Sequence, residues 1–214
     1  MALEASTVRG SYDRVAGRYA EEFDDELSRR PLERALLAAL PELAGLDTTA
    51  GVVADLGAGP GHVARHLRSS DVPTVAVDLA PAMAAVAYHG NHVPAAAGSL
   101  TALPLADRSL AAAVVFYAVI HLDDAGLAAA AGELARVLRP GGVALVSIHI
   151  GDEVRHIDEW HGETVDLDFR FLQPGALGRV LAGAGLVMEA TLEREPMAGL
   201  EAQTRRAYLL ARRP

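Results

Sequence analysis

Three glycines at alternate positions, Gly57, Gly59 and Gly61, follow the apolar run Val52–Leu56, and Asp55 stands just before that run ends. Glycines so placed let the backbone turn sharply and approach a ligand without Cβ interference. A carboxylate at the carboxyl end of a buried strand suits a cationic or hydroxyl-bearing ligand rather than a pyrophosphate. Asp78 closes the next apolar run, Thr74–Val77, where an acid accepts both hydroxyls of a ribose. That device serves more than one nucleoside cofactor. A nicotinamide fingerprint, G-x-G-x-x-G, would need glycine where His62 stands.

A second group follows the apolar stretch 110–120. Tyr117 and His121 stand at its end, and imidazole titrates near neutrality, so His121 can serve as general base or simply satisfy backbone groups. His149 ends a later run with a weaker claim. Residues 151–172 are polar and acidic, with Glu153, His156, Asp158, Glu159, Trp160 and His161 close together. They read either as an acceptor-binding loop, Trp160 being an aromatic wall, or as a solvated connection. No ligand spacing points to a metal.

Composition narrows the chemistry further. The chain has 214 residues, enough for one large domain with a sizeable core. It contains no cysteine, and all 19 of its basic residues are arginine. Disulfides, thiolate metal sites, a cysteine nucleophile, Schiff-base catalysis and a Walker-type lysine are thereby excluded. A formal charge of −9 argues against a broad nucleic-acid face, and Arg205-Arg206 and Arg212-Arg213 read as solvated strand ends. The start, Met1-Ala2-Leu3-Glu4, lacks the basic and apolar regions of a signal peptide, and the longest apolar run is too short for a bilayer. The expectation is a cytoplasmic protein with no membrane partner.

The elements that must position these groups alternate. Residues 9–45 show helical spacing, with Pro31 suited to a first turn. Strands are expected at 52–56, 74–78, 112–117, 143–148, 186–192 and 207–211, and helices at 62–68, 81–88, 127–138 and 174–184. Pro140-Gly141-Gly142 reads as a turn. The pattern calls for a doubly wound, mostly parallel α/β sheet.

Five ordered segments carry a resemblance. Tyr12-Asp13-Arg14-Val15-Ala16-Gly17-Arg18-Tyr19, Asp55–Gly61, Val77–Met83 and Ala97–Pro104, followed by Leu134–Gly142, together resemble a class I S-adenosylmethionine-dependent methyltransferase of the small-molecule (UbiE-like, methyltransferase type 11) branch. The resemblance implies a seven-stranded Rossmann-like sheet, residues 1–45 forming a helical lid and 46–214 the cofactor-binding domain. It implies S-adenosylmethionine as cofactor, S-adenosylhomocysteine as product, and a small-molecule acceptor methylated on O, N or C. Gly57 and Gly59, with Asp55 nearby, would meet the methionine portion, and the Phe116 carbonyl its ammonium. Asp78 would hold the ribose, Leu79 and Met83 would flank the adenine, and Ser99 and Leu100 would meet its edge. Tyr12 and Tyr19 would close from the lid. His121 is then the candidate base, and Tyr117, His149, His156 and Trp160 are candidate acceptor contacts.

Two positions depart from the pattern: Ser99 and Ala111 stand where the family usually has aspartate. The first would weaken the cofactor contact by about 1 kcal/mol, the net value of one hydrogen bond. Two other functions compete, a nicotinamide oxidoreductase with a degenerate glycine loop and a non-catalytic S-adenosylmethionine-binding protein. Nucleobase methylation lacks its residues: there is no cysteine for cytosine C5 chemistry, and Tyr117-Ala118-Val119-Ile120 replaces the tetrad of adenine N6 enzymes.

Overall fold

The computed structural model describes residues 3–46 and 50–214. Met1 and Ala2, part of the segment read for a leader, lie outside them. Two helices come first, α1 (Ala5–Phe23) and α2 (Pro31–Leu43), joined through a 3-10 turn at Glu26–Arg29. Pro31 opens α2, where its missing N–H goes unneeded. The alternation follows as β1 (Val53–Leu56), α3 (His62–Arg68), β2 (Thr74–Asp78), α4 (Pro81–His89), β3 (Ala95–Ala97), β4 (Leu110–Phe116), α5 (Asp124–Val137) and β5 (Leu138–His149).

Then come β6 (Val154–Trp160), β7 (Glu163–Arg170), α6 (Pro174–Gly183), β8 (Val187–Arg194) and β9 (Arg206–Arg212). Seven strands form one sheet in the order β3-β2-β1-β4-β5-β9-β8. Its first five strands are parallel, and β9 runs antiparallel to both neighbours.

Because successive strand residues face opposite sides, the sheet sorts its apolar residues into two cores. Ala54, Leu56, Ala113 and Val115 pack with Leu127 and Leu134 of α5 and Leu177 and Leu181 of α6. Val53, Val114 and Leu145 pack on the other face with Leu37 and Leu40 of α2 and Val63 and Leu67 of α3. Burying such a leucine stabilises by about 1.5–3 kcal/mol. The chain order reverses between β1 and β4, so a crevice opens at their carboxyl ends.

Three elements differ from the sequence reading. Strand β3 is a run of three alanines, whose weak β preference hid it. Strand β5 begins at Leu138 and runs through Pro140-Gly141-Gly142, with Gly141 at φ +79° and a register shift opposite Leu110–Ala112. That segment is therefore an irregularity within a strand rather than a turn before one. Residues 151–172 hold neither a loop nor a solvated linker but the antiparallel hairpin β6–β7. Its turn is His161-Gly162, both at positive φ (+55° and +79°), as a tight two-residue hairpin requires. Val165 and Leu167 alternate inward and bury against Val8 and Val15 of α1.

Candidate active site

The glycine loop is shaped by its backbone. Gly57, Gly59 and Gly61 all have positive φ (+69°, +53° and +81°). A Cβ at Gly57 would lie 2.2 Å from the Cβ of Ala118, so no other residue fits. The Gly57 and Ala58 amides donate to the Val77 carbonyl at 2.8 and 3.1 Å, tying the loop to the end of β2.

Asp78 completes that tie. Its Oδ2 accepts from the Gly59 amide at 2.7 Å and its Oδ1 from the Ala80 amide at 2.8 Å. Each carboxylate oxygen can accept more than one bond, so capacity remains for a ligand hydroxyl. Burial pushes its pKa up to about 6, against the pull of the two amides. Asp55 is buried, accepts from the Ala64 amide of α3 at 3.0 Å, and is raised by burial to about 7, with His62 opposing.

One cavity of about 430 Å³ lies over this loop. Asp55, Gly57, Gly59 and Asp78 line it, as do Leu79 and Met83 at the start of α4. Ser99 and Leu100 line it from beyond β3, Phe116 from the end of β4, and Tyr12 and Tyr19 from α1. Tyr117 and His121 also reach it. Ser99 Oγ is 2.8 Å from Thr101 Oγ1 and accepts from the Thr101 amide at 3.1 Å, so its hydroxyl is held by its own turn. Ala111 is fully buried in the α2–α3 core and does not line the cavity, so the missing aspartate there falls outside the site.

Helix α1 covers the opening. The Ala82 amide donates to Asp13 at 2.9 Å, and Ser11 Oγ accepts from the Asp166 amide at 3.0 Å, so α1 is clamped between α4 and β7. Tyr12, Tyr19, Trp160 and Phe169 form an edge-to-face cluster, Trp160 lying 5.2 Å from Tyr19 and 6.2 Å from Tyr12. His121 Nδ1 lies 2.8 Å from the Asp168 carbonyl. A carbonyl only accepts, so Nδ1 carries the proton and Nε2 accepts from the Tyr12 hydroxyl at 2.8 Å. Burial pushes the His121 pKa down to about 4, and the ring is neutral at physiological pH.

Three sequence candidates stand apart. Trp160 backs the two tyrosines without lining the cavity. His149 lies behind Tyr117, ring centroids 4.8 Å apart, bonded to Thr204 at 2.7 Å. His156 is exposed on β6 and paired with Asp168 at 2.9 Å. Among the described residues no cluster of three His, Asp or Glu could hold a metal.

The sequence reading missed a polar end of the cavity, where Glu26, Arg30, Glu33 and His62 converge. Spacing within α2 carried no signal for it, because the partners come from β8 and β9. Glu33 Oε1 accepts from Arg194 at 2.5 Å and from the Tyr208 hydroxyl, and Tyr208 lies 3.2 Å from the Tyr117 hydroxyl. Tyr117 itself sits at φ +54°, a strained conformation for a non-glycine residue and typical of functional sites.

A glycine loop and two acids at the switch point of an open α/β sheet define a protein that binds a nucleoside-bearing ligand. Residues 53–142 match the methyltransferase domain family. The chain is 30% identical over 186 residues to the malonyl-[acyl-carrier protein] O-methyltransferase of Enterobacter lignolyticus, covering 85% of this chain and 69% of that protein. It is 37% identical over 135 residues to the enzyme of the same name from Pectobacterium atrosepticum, covering 63% of this chain and 47% of that one. The chain thus spans about half to two thirds of the length of the curated relatives it matches.

The fold is shared with Burkholderia thailandensis 1,6-didemethyltoxoflavin-N1-methyltransferase, solved with bound 1,6-didemethyltoxoflavin and S-adenosylhomocysteine. The TM-score is 0.73 at 21% identity, covering 98% of this chain and 88% of that one. The chain belongs to the class I S-adenosylmethionine-dependent methyltransferases. The residues fit that cofactor: Gly57 and Gly59 line the cavity without a side chain, and Asp78 keeps acceptor capacity beside them.

Proposed function

We propose that this protein transfers a methyl group from S-adenosylmethionine to a small-molecule acceptor in the cytoplasm. The observation that carries the reading is the convergence of all eleven expected cofactor residues on one cavity at the sheet's switch point. When bound, the sulfonium cofactor supplies an already activated methyl group.

The protein's own part is to bind, orient and exclude water. Asp78 receives the ribose hydroxyls, and Gly57 and Gly59 let the backbone approach the methionine portion beside Asp55. The Phe116 carbonyl receives the ammonium. Leu79 and Met83 flank the adenine, and Ser99 and Leu100 meet its edge. Residues 1–45 act as the lid, with Tyr12 and Tyr19 as its inner surface and Trp160 bracing them from the hairpin. Tyr117 faces the acceptor, with His149 supporting its ring, while His156 stands exposed on β6 and is not part of the cavity lining. His121 holds the Tyr12 hydroxyl in place, and takes an acceptor proton only when Tyr12 releases Nε2.

Binding is the first test. At a hundredfold excess over Kd, S-adenosylhomocysteine stabilises by about 2.7 kcal/mol, a rise in Tm of about 5–10 °C for a chain of this size, and NAD leaves Tm unchanged. No heat in calorimetry with either S-adenosylmethionine or its demethylated product overturns the proposal. Cofactor binding with no methylated product from any acceptor would leave the non-catalytic alternative.

A further inference from the structure

Two phenols that line the cavity, Tyr12 and Tyr117, have the direction of their hydroxyl hydrogens fixed by partners behind them. Neither residue is fully buried. Burial raises the pKa of both, and of Tyr208 behind Tyr117, so each oxygen carries one hydrogen to place.

Tyr117 is fixed from α2 and β8. Burial opposes a charge on Glu33, but the bonds from Tyr208 and Arg194 prevail and hold its pKa low. A carboxylate only accepts, so the Tyr208 hydrogen goes to Glu33 Oε1. A guanidinium only donates, so Arg194 Nε gives a bond to the Tyr208 oxygen at 3.1 Å. With its one hydrogen spent, Tyr208 meets the Tyr117 hydroxyl at 3.2 Å as the acceptor. Tyr117 is therefore the donor.

Tyr12 is fixed separately, from the hairpin. The Asp168 carbonyl takes the Nδ1 hydrogen of His121, and Nε2 takes that of Tyr12. Neither phenol oxygen accepts a bond from any described residue. A free tyrosine turns its hydrogen to suit donor or acceptor. These two offer a ligand lone pairs only, unless the bond behind them breaks.

We infer that the methyl acceptor carries an N–H or O–H, which one of these two oxygens receives. This rests on the methyl-transfer reading of the same cavity. A carboxylate or an ether has only lone pairs of its own and finds no donor in either tyrosine. The contact also orients: with its hydrogen held by a phenol, the nucleophilic atom keeps a lone pair free to face the methyl carbon. Sites that pair an N–H or O–H discriminate strongly against analogues lacking it, because the buried partner is then left unmatched.

Indole and benzofuran test the direction of the bond without changing charge, since they share a shape and differ in an N–H against a ring oxygen. Both are titrated, by calorimetry, into protein saturated with S-adenosylhomocysteine, so the cofactor's own donors are already placed. Indole is expected to bind at least fivefold more tightly, although its N–H costs more to strip of water. The double variant Tyr12→Phe/Tyr117→Phe, again saturated with S-adenosylhomocysteine, should bring the two affinities within twofold of each other. A general loosening of the fold would weaken both probes alike and leave their ratio unchanged.

Equal affinities in the unaltered protein overturn the inference, as do tighter binding of benzofuran and the absence of binding by either probe. A preference for indole that survives the loss of both hydroxyls also overturns it, because another group then receives the N–H. Should the double variant not fold, the ratio in the unaltered protein decides. Failure of S-adenosylhomocysteine to bind at all sinks the functional reading itself, whereas failure of the probes on cofactor-loaded protein sinks this inference alone.

Discussion

Asp78 holds the glycine loop and, in the proposed complex, the ribose, so its loss acts on binding twice. Asp78→Asn is expected to weaken S-adenosylhomocysteine by about 1.5–3 kcal/mol, the range for hydrogen bonds to a charged group. Calorimetry checks this, and an unchanged Kd would remove Asp78 from the site. The titrations also have a sign. Asp55 and Asp78 are raised by burial to about 7 and 6. The folded state therefore binds more protons than the unfolded chain from about pH 4 upward, and this pair makes stability fall as pH rises to about 7. His121 and His149 are lowered by burial to about 4, and they make stability rise between about pH 4 and 6.5. The two pairs oppose each other. Urea midpoints of the ligand-free protein should vary weakly over that window, and Asp78→Asn should tilt them upward with pH.

The glycine turn, the clamp on α1 and the hairpin work as elements. Gly57→Ala adds a methyl group 2.2 Å from the Ala118 Cβ at φ +69°. It should destabilise by about 1–3 kcal/mol, the cost of overpacking and of a strained backbone, and abolish measurable cofactor heat. Ser11 is fully buried and bonds the Asp166 amide. Ser11→Ala should cost about 1–2 kcal/mol and speed amide exchange in β7, because that bond fastens α1 to the hairpin. Exchange unchanged in β7 would show that the aromatic cluster alone holds α1 in place. The helices and central strands were legible in the sequence, since 3.6-residue spacing and buried β-branched runs are local signals. The hairpin escaped the sequence reading, because the acidic residues between Val165, Leu167 and Phe169 masked their alternation after His161-Gly162.

At the scale of the whole molecule, the cavity lies between layers drawn from distant parts of the chain: α1 and the hairpin above, the sheet edge below, and α2 with β8 and β9 at the polar end. Closing such a site by ligand couples those layers. Saturating S-adenosylhomocysteine should slow amide exchange in α1 and in β6–β7 together, as one cooperative unit. Protection confined to the glycine loop would mean that α1 is not a lid.

By itself, the sequence determined the alternating elements, the glycine turn and the two acids, because each depends on neighbours a few residues away. It also identified Tyr12, Tyr19 and His121 as candidates, through motifs and position. Only the tertiary structure decided that Tyr12 and His121 share a hydrogen bond, that Trp160 stands behind the tyrosines and that His156 faces outward. It alone brought Glu33 beside Arg194 and Tyr208. Such pairings depend on which sheet faces and helix ends meet, and residues more than a hundred positions apart leave no periodic trace of that meeting in the chain.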